Sequence, residues 1–277
     1  MDELVLARIT VYPLKSGAGI DLDASEMEPC GLRGDRRWMA VDGDGACVTA
    51  RERPQLVRVL ARVADTGLRL RMDDREPLTI RYPDAGSRTS RVWIWGQECN
   101  ALDAGDAAAR WMSDALDKPV RLVAMDDRFK RRPDPDCTRP EDEVSFADCY
   151  PVLAIGRSSL DDLNTRTPAP ASMRRFRPNF VIGGGTPYAE DVWRRIRIGT
   201  VEFEGVENCE RCELPTVDPE TGIPDPQREP MRTLARYRRR TTGGVFLGQL
   251  LVPRGAGTVR VGDRVVVLES ATSDQAG

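Results

Sequence analysis

The 277-residue sequence predicts a mainly β or α+β fold in two parts, each built on a β-barrel. Three observations lead to this prediction. Short segments with alternating apolar and polar residues occur in both halves of the chain, turn residues separate them, and stretches with helical spacing are few. A chain of this length can bury a sizeable core and is long enough for one large domain or two small ones.

The first half of the chain consists mostly of segments with the pattern of strands. LVLARITVYP alternates apolar and polar residues, and GLRGDRRWMAVDGDGACVTA contains two such segments around a DGDG turn. PQLVRVLARVADTGLRLRM repeats this arrangement, and LTIRYP and SRVWIWG add two short strands. The first clear helix is predicted at about residues 104–117, where Ala107, Trp111 and Ala115 are among the apolar residues at helical spacing.

The second half alternates strands with two short helices. PVLAIG is a predicted strand, and SSLDDLNTR is a predicted helix with Ser158 or Ser159 as its N-cap. FRPNFVIGG and IRIGTVEFEGVE are predicted strands, EPMRTLARYRRR a helix, and GGVFLGQLLVPRGAGTVRVGDRVVVLE strands joined by glycine turns. The charged run Lys130-Arg131-Arg132 is predicted to be a solvated surface, and residues 271–277 a frayed tail.

The charge balance and the apolar pattern exclude several classes of protein. The sequence has 41 basic and 44 acidic residues, a formal net charge of −3, which argues against a general nucleic-acid or anionic-membrane binder. The N-terminus lacks the pattern of a signal peptide, and no apolar run approaches the roughly 18 residues of a membrane span. Seven cysteines in a long chain are typical of a reducing compartment. We therefore expect a cytoplasmic protein without nucleic-acid or membrane partners.

The absence of histidine restricts the possible chemistry most strongly. Without histidine the chain cannot form Ser-His-Asp or Cys-His nucleophile arrangements, and it cannot hold zinc or haem through imidazole. Catalysis would have to use a cofactor, a metal held by sulfur or oxygen, or the side chains of Asp, Glu, Lys, Arg or Tyr.

The stretch ENCERCELPTVDPETG places Cys209 and Cys212 three positions apart. A structural zinc site needs four ligands, and the other cysteines are isolated. A redox dithiol belongs at a helix start, and an iron–sulfur cluster needs about four thiolates in a compact pattern. From the residues alone, buried inert thiols are the leading interpretation. Asp218 and Glu220 could form an acid/base pair, although their setting is typical of a turn.

Six motifs in a fixed order, from about residue 5 to 269, change this interpretation. They are VYPLKS; GLRGDRRWMAVD with VTARERPQLV; FADCYPVLAI; FRPNFVI with YAEDVW; CERCELPTVDPETG; and LGQLLV with GTVRVGDRV. Together they resemble the MOSC-domain proteins, and among these the mitochondrial amidoxime-reducing component and its bacterial relatives. The resemblance implies an N-terminal MOSC β-barrel domain (about 1–120) packed on a MOSC β-barrel domain (about 121–270), with 271–277 as a tail.

The same resemblance implies a molybdenum–molybdopterin cofactor between the two domains. Cys212 matches the cysteine that ligates molybdenum, a metal that accepts a soft thiolate, while the pterin dithiolene provides two further sulfurs. Cys209 matches a cysteine that does not bind the metal, and Asp218 is a candidate proton relay. The positions expected to contact the cofactor are Lys15, Ser16, Arg36, Cys149, Tyr150, Arg177, Asn179, Arg211 and Cys212. Cys149 departs from the Gly or Thr common in the family.

The activity implied by the resemblance is reduction of N-hydroxylated compounds such as amidoximes, hydroxylamines and hydroxamic acids. No flavin, haem or cluster motif is present in the sequence, so the electrons would come from a separate donor protein of ferredoxin, flavin or cytochrome b5 type. Two alternatives stay open. One is a molybdenum-cofactor carrier or sulfur-relay module that uses Cys212, and the other is a biosynthetic molybdoenzyme acting on a specialised nitrogen–oxygen substrate.

Overall fold

The structure, a computed structural model, describes residues 3–64, 66–84, 86–126, 128, 130–133, 135–241 and 243–271. Residues 272–277 of the predicted tail lie outside this range. The first strands are β1 (Val5–Val11), β2 (Ile20–Leu22), β3 (Ala24–Glu28), β4 (Gly31–Leu32), β5 (Trp38–Val41), β6 (Leu60–Ala64), β7 (Gly67–Met72), β8 (Arg75–Arg81), β9 (Thr89–Ile94) and β10 (Gln97–Asp103). The later strands are β11 (Arg121–Ala124), β12 (Val152–Gly156), β13 (Phe180–Gly183), β14 (Trp193–Ile198), β15 (Val201–Glu210), β16 (Arg239–Arg240), β17 (Gly243–Pro253), β18 (Gly257–Arg260) and β19 (Val265–Ser270). The helices are α1 (Asp106–Leu116), α2 (Arg157–Arg166) and α3 (Met231–Arg238).

The largest sheet has nine strands, in the order β19-β14-β15-β17-β12-β13-β1-β2, with β16 also paired to β17. All neighbours in it are antiparallel except β12 and β13, which α2 connects as a parallel pair. Its buried face includes Phe180 and Phe203, whose rings pack edge to face with their centroids 5.5 Å apart. The mainly β prediction is confirmed.

The predicted closure of the sheets into barrels is wrong for the strand pairing of the described residues. The two end strands of the large sheet, β2 and β19, do not pair with each other. The first half of β1 instead meets the residues just before β19 through a single bridge, Val5 to Arg264, and a few backbone hydrogen bonds such as Leu6 N–H to Asp263 O at 2.8 Å. Because β13 pairs with β1 from Val5 to Ile9 and β2 pairs with it from Ile9 to Val11, β1 already has its strand partners, and no full ladder to β19 forms among the described residues.

The remaining strands form three smaller sheets. Their orders are β5-β11-β10-β9, β6-β7-β8 and β18-β3-β4. The third of them packs Met27, Leu32 and Val259 into the core of the large sheet, and the first two surround a second core. Helix α1 packs its apolar stripe, including Ala108, Met112 and Leu116, against this core. Strands from the two halves are interleaved, because β1 lies in the sheet of the second half and β11 pairs with β5 of the first. The boundary at residue 120 stays a prediction.

The three helices occur where the sequence predicts them, but the predicted cap of α2 is wrong. The helix begins one residue earlier than expected, with Gly156 as N-cap, so both serines lie within its first turn. The hydroxyl of Ser159 donates to Glu190 at 2.8 Å and accepts the Tyr188 backbone N–H at 2.7 Å. In the described part of the chain, none of the helices is long and apolar enough to cross a membrane.

Candidate active site

Loops from both halves of the chain meet around a cavity of about 450 Å³. They are the segment after β1, the loop between β4 and β5, the β9–β10 turn, the segments before β12 and β13, and the end of β15. This volume falls in the usual range of small-molecule sites. All nine residues predicted to contact the cofactor line it: Lys15, Ser16, Arg36, Cys149, Tyr150, Arg177, Asn179, Arg211 and Cys212.

Lys15 reaches the cavity from the end of β1 and is buried. Its ammonium donates to the Phe146 carbonyl at 2.7 Å and forms an ion pair with the Asp148 carboxylate. Burial alone would raise the pKa of Asp148, but Lys15 and a hydrogen bond from the Trp95 indole hold it well below its ordinary value. The charge of Lys15 is therefore already balanced within the cavity wall.

The segment that carries Phe146 and Asp148 is fixed from behind by Arg131. This guanidinium is only 5% exposed and donates to the carbonyls of Ser145 (2.9 Å), Ala147 (2.5 Å) and Asp148 (2.8 Å). The prediction that the Lys130–Arg132 run is a solvated face is wrong for Arg131, because the loop folds back and its carbonyls need a donor.

Two further cations stack on one buried ring. The guanidinium carbons of Arg36 and Arg177 lie 4.8 and 4.2 Å from the ring centroid of Tyr12. Asp35, fully buried, forms an ion pair with Arg36 and accepts the Tyr12 backbone N–H at 2.7 Å. Although burial lowers the pKa of Arg36, this carboxylate raises it above its ordinary value. For Arg177, burial and the repulsion of Arg36 lower the pKa to about 10.

Asn179 holds this arrangement to the sheet. Its side-chain oxygen accepts from Arg36 at 3.1 Å and from the Leu153 backbone N–H at 3.2 Å, and its amide donates to the Thr10 carbonyl at 3.1 Å. Arg177 in turn donates to the Gly17 carbonyl at 2.6 Å. Because its other hydrogen bonds fix the Asn179 side chain to strands β1 and β12, Asn179 holds the Arg36 guanidinium in a defined orientation.

Three residues of the cavity have backbones in the left-handed region that favours glycine. The φ angles of Ser16, Arg36 and Arg177 are 64°, 50° and 56°. Each costs about 1–2 kcal/mol for a residue with a side chain. Such conformations persist where the surrounding structure enforces them, and they concentrate at functional sites. Their clustering around one cavity indicates that side-chain placement there outweighs backbone strain.

Three cysteines line the same cavity, and they differ in environment. Desolvation, followed by the charge of Asp148, raises the pKa of Cys149 to about 11, and burial also raises the pKa of Cys209. Cys209 also accepts a hydrogen bond from Arg211 Nη1 at 3.0 Å, while Arg211 Nη2 donates to the Phe176 carbonyl at 2.7 Å. Cys212 follows the end of β15 and is exposed. Because metals bind the thiolate, the raised pKa values disfavour the other two as ligands.

Asp218 is not among the residues that line the cavity. Its carboxylate accepts the backbone N–H groups of Glu220 (2.9 Å) and Thr221 (3.0 Å) and forms an ion pair with Arg175 at 2.9 Å. Burial raises the pKa of Asp218, but these hydrogen bonds and Arg175 lower it overall. The carboxylate therefore stabilises its own turn, and the function proposed below does not use it.

Two residues of the cavity wall, the aromatic Trp95 and the acidic Asp148, were not predicted from the sequence. Trp95 is half exposed in the β9–β10 turn, and its ring centroid lies 4.0 Å from the Arg51 guanidinium carbon. Its indole donates a hydrogen bond to Asp148. Asp148 lies within the FADCYP motif, but its partner Lys15 is 133 positions away, so no local pattern joins them. The sequence signal that could have indicated Trp95 is its position at the end of SRVWIWG, directly before a glycine, where a large aromatic residue falls in a turn.

The donor set of the cavity fits an anionic cofactor that carries its own metal ligands. Arg177 Nη2 and Arg211 Nε are buried without a hydrogen-bond partner among the described residues, and such donors favour a bound acceptor. Nowhere in the described part of the chain do three or more His, Cys, Asp or Glu side chains converge to hold a metal ion. A metal here would rest on Cys212 and on ligands that the cofactor supplies. A phosphate-bearing pterin dithiolene meets both conditions.

Comparison with known families agrees with the motif order. Residues 3–119 match the model of the MOSC N-terminal beta barrel domain, and residues 141–266 match that of the MOSC domain. These two domains together define a two-domain MOSC protein. The chain is 35% identical to mitochondrial amidoxime-reducing component 1 of Homo sapiens over 280 residues, which cover 95% of this chain and 82% of that protein. The chain belongs to the MOSC family that contains the amidoxime-reducing components.

Other relatives show similar coverage. Mitochondrial amidoxime reducing component 2 of Rattus norvegicus is 35% identical over 279 residues, covering 94% of this chain and 82% of that protein. A crystal structure of the YuaD protein from Bacillus subtilis aligns with a TM-score of 0.44 at 8% identity, covering 95% of this chain and 94% of that one. At this score the structural likeness is too low to bear on the fold, which follows from the strands and the family matches.

Proposed function

We propose that the protein is a molybdenum-cofactor-dependent oxidoreductase that reduces N-hydroxylated compounds with electrons from a separate donor protein. The net reaction converts R–NH–OH, two electrons and two protons into R–NH2 and water. The observation that supports this most directly is the convergence of one exposed thiol, Cys212, with two arginines whose buried N–H groups find no acceptor among the described residues. The names of the relatives, which are amidoxime-reducing components, support the substrate class.

The residues of the cavity would divide the binding of the cofactor between them. Arg36 and Arg177 present planar guanidiniums that suit a phosphate and a pterin ring, and stacking on Tyr12 holds them in place. Cys212 would provide the protein thiolate. The chemistry that molybdenum and its dithiolene supply when bound is two-electron transfer coupled to removal of the N–O oxygen.

The way the cations of the cavity wall are paired supports the binding of an anionic cofactor. Lys15 is neutralised by Asp148, and Arg36 by Asp35, whereas Arg177 keeps one nitrogen without a partner among the described residues. We infer that Arg177 makes the decisive contact to the cofactor. Lys15 would act mainly by orienting Asp148 and the segment it belongs to.

The test compares protein purified from cells that can and cannot make molybdopterin. We expect about one molybdenum per chain from the first host only, with benzamidoxime reduced when an artificial donor is added and not with NADH alone. Stoichiometric zinc without molybdenum from the competent host would refute the proposal. Full molybdenum without turnover of any N-hydroxylated compound would favour a cofactor carrier.

A further inference from the structure

A second cavity of about 570 Å³ adjoins the first. Glu210, Arg211 and Cys212 line both cavities, so the proposed metal ligand belongs to the wall of each. The other residues that line the second cavity lie just after Cys212, in the segment before α3, in α3 itself, in β16 and at the start of β17, and none of them lines the first cavity. A molecule in the second cavity can therefore approach Cys212 without displacing what the first cavity holds.

The wall of the second cavity carries more basic than acidic side chains. The cavity is lined by four arginines (Arg211, Arg228, Arg232 and Arg239) and two glutamates (Glu210 and Glu213). Arg228 forms an ion pair with Glu213, and Arg211 is held by Cys209 and by a carbonyl of the first cavity. Within the part of the chain that the structure describes, Arg232 and Arg239 make no side-chain hydrogen bond or ion pair, and both are exposed.

Neighbouring arginines of the same segment are used differently. Arg238 forms an ion pair with Asp191 and stacks on Tyr188 at 4.3 Å, and Arg240 stacks on Phe246 at 4.2 Å. These two stabilise the packing of α3 and β16 against the sheet. Structural roles thus account for Arg238 and Arg240, whereas the described residues give the guanidiniums of Arg232 and Arg239 no comparable partner.

Resting on the function proposed above, we propose that the second cavity receives the non-reacting end of the substrate and favours one that carries a carboxylate or phosphate. Arg232 and Arg239 bind the anionic group, since a guanidinium pairs with either anion through two parallel hydrogen bonds. Met231, Ala235 and Val245 add apolar surface to the wall of the same cavity. The N–OH group then lies toward Cys212, where the two cavities meet.

The test measures equilibrium binding of two matched compounds, benzamidoxime and 4-carboxybenzamidoxime, to the molybdenum-loaded protein by calorimetry. Each exposed ion pair is worth about two- to fivefold in affinity, so the wild type should bind the carboxylate about tenfold more tightly. Arg232→Glu and Arg239→Glu should each reduce this preference about threefold to tenfold. Raising the salt concentration should weaken the preference as well.

Arg236→Glu is the matched control, since Arg236 is exposed on α3, the helix of Arg232, but does not line the cavity. It changes the net charge equally and should leave the preference unchanged. Equal affinity for the two compounds in the wild type, or an equal effect of all three reversals, would refute the anion site. Binding decides this even if neither compound is reduced, an outcome that would instead overturn the proposed function.

Turnover separates substrate binding from docking of an acidic donor protein. With dithionite as reductant, reversal at Arg232 or Arg239 should lower kcat/KM for the carboxylate more than for benzamidoxime. If the reversals slow both compounds alike with a donor protein and neither with dithionite, the basic surface serves the donor, and the proposal is wrong.

Discussion

Replacing Cys212 and Cys209 by serine, one at a time, should separate catalytic function from stability. Cys212 is exposed where the two cavities meet, whereas Cys209 packs beside the core formed by α2, α3 and the large sheet. The Cys209 sulfur also accepts a hydrogen bond from the Arg211 guanidinium at 3.0 Å. Both substitutions exchange sulfur for a smaller, harder oxygen, so any difference between the variants comes from position.

The structure predicts opposite profiles for the two variants. Cys212→Ser alters an exposed side chain, so the free energy of unfolding should stay within about 0.5 kcal/mol of the wild type. Cys209→Ser loses apolar contacts but keeps an acceptor for Arg211, which should cost about 1 kcal/mol. For a chain of this size, that corresponds to a melting temperature lower by about 2–4 °C.

Activity should follow the reverse order. An alkoxide is rarely available near neutral pH and is a harder donor than a thiolate, so Cys212→Ser should abolish benzamidoxime reduction. Pterin should remain bound, because its proposed contacts to Arg36 and Arg177 do not involve sulfur. Cys209→Ser should keep most of the wild-type activity.

The assay measures molybdenum, released pterin, kcat with an artificial donor and melting temperature for each purified variant. Equal loss of activity in both variants with pterin retained would show that Cys212 is not the unique ligand. Unfolding of both variants would instead indicate a structural role for the pair.

Three further substitutions test the wall and the sheet. Asp35→Asn leaves the largely buried Arg36 guanidinium without its counter-charge and should cost about 3 kcal/mol in urea unfolding. Because the pKa of Asp148 is lowered by Lys15, its stabilisation is complete above about pH 4 and is lost as pH falls toward the folded value. The advantage of wild type over Asp148→Asn in acid unfolding should shrink accordingly, and a constant difference would contradict this. Gly205→Ala places a Cβ 2.1 Å from a backbone carbonyl oxygen and should cost about 1–3 kcal/mol, whereas the unobstructed Gly43→Ala should cost little in the same thermal-unfolding measurement.

Much of the fold could be predicted because its signals are local. Alternating segments bounded by turn residues mark strands, and apolar residues at helical spacing mark the three helices. Strand order is a long-range property, so the pairing of β1 with β13 and of β11 with β5 has no counterpart in any short window. Barrel closure depends on that order, and the prediction was wrong at this point.

Prediction of the cavity residues came from motif order rather than from local chemistry. The motifs identify Lys15 and Asn179 as cavity residues, but they do not show that one pairs with Asp148 and the other with strand backbones. Arg131 was mistaken for a surface charge because sequence alone does not show that three carbonyls turn toward it. Such errors arise where a polar side chain is needed to satisfy distant backbone groups.

The two cavities differ in how rigidly they hold their arginines, and this difference fits two kinds of ligand. Arg36 and Arg177 stack on one buried ring, so binding an anion to them costs little side-chain entropy. Arg232 and Arg239 are exposed and must be ordered on binding, at about 0.5–1.5 kcal/mol for each side chain. Rigid cations suit a group that stays bound through many turnovers, and mobile cations suit one that must leave after each. Because Cys212 lies in both walls, the resident group and the exchanging group would meet at the residue proposed to ligate the metal.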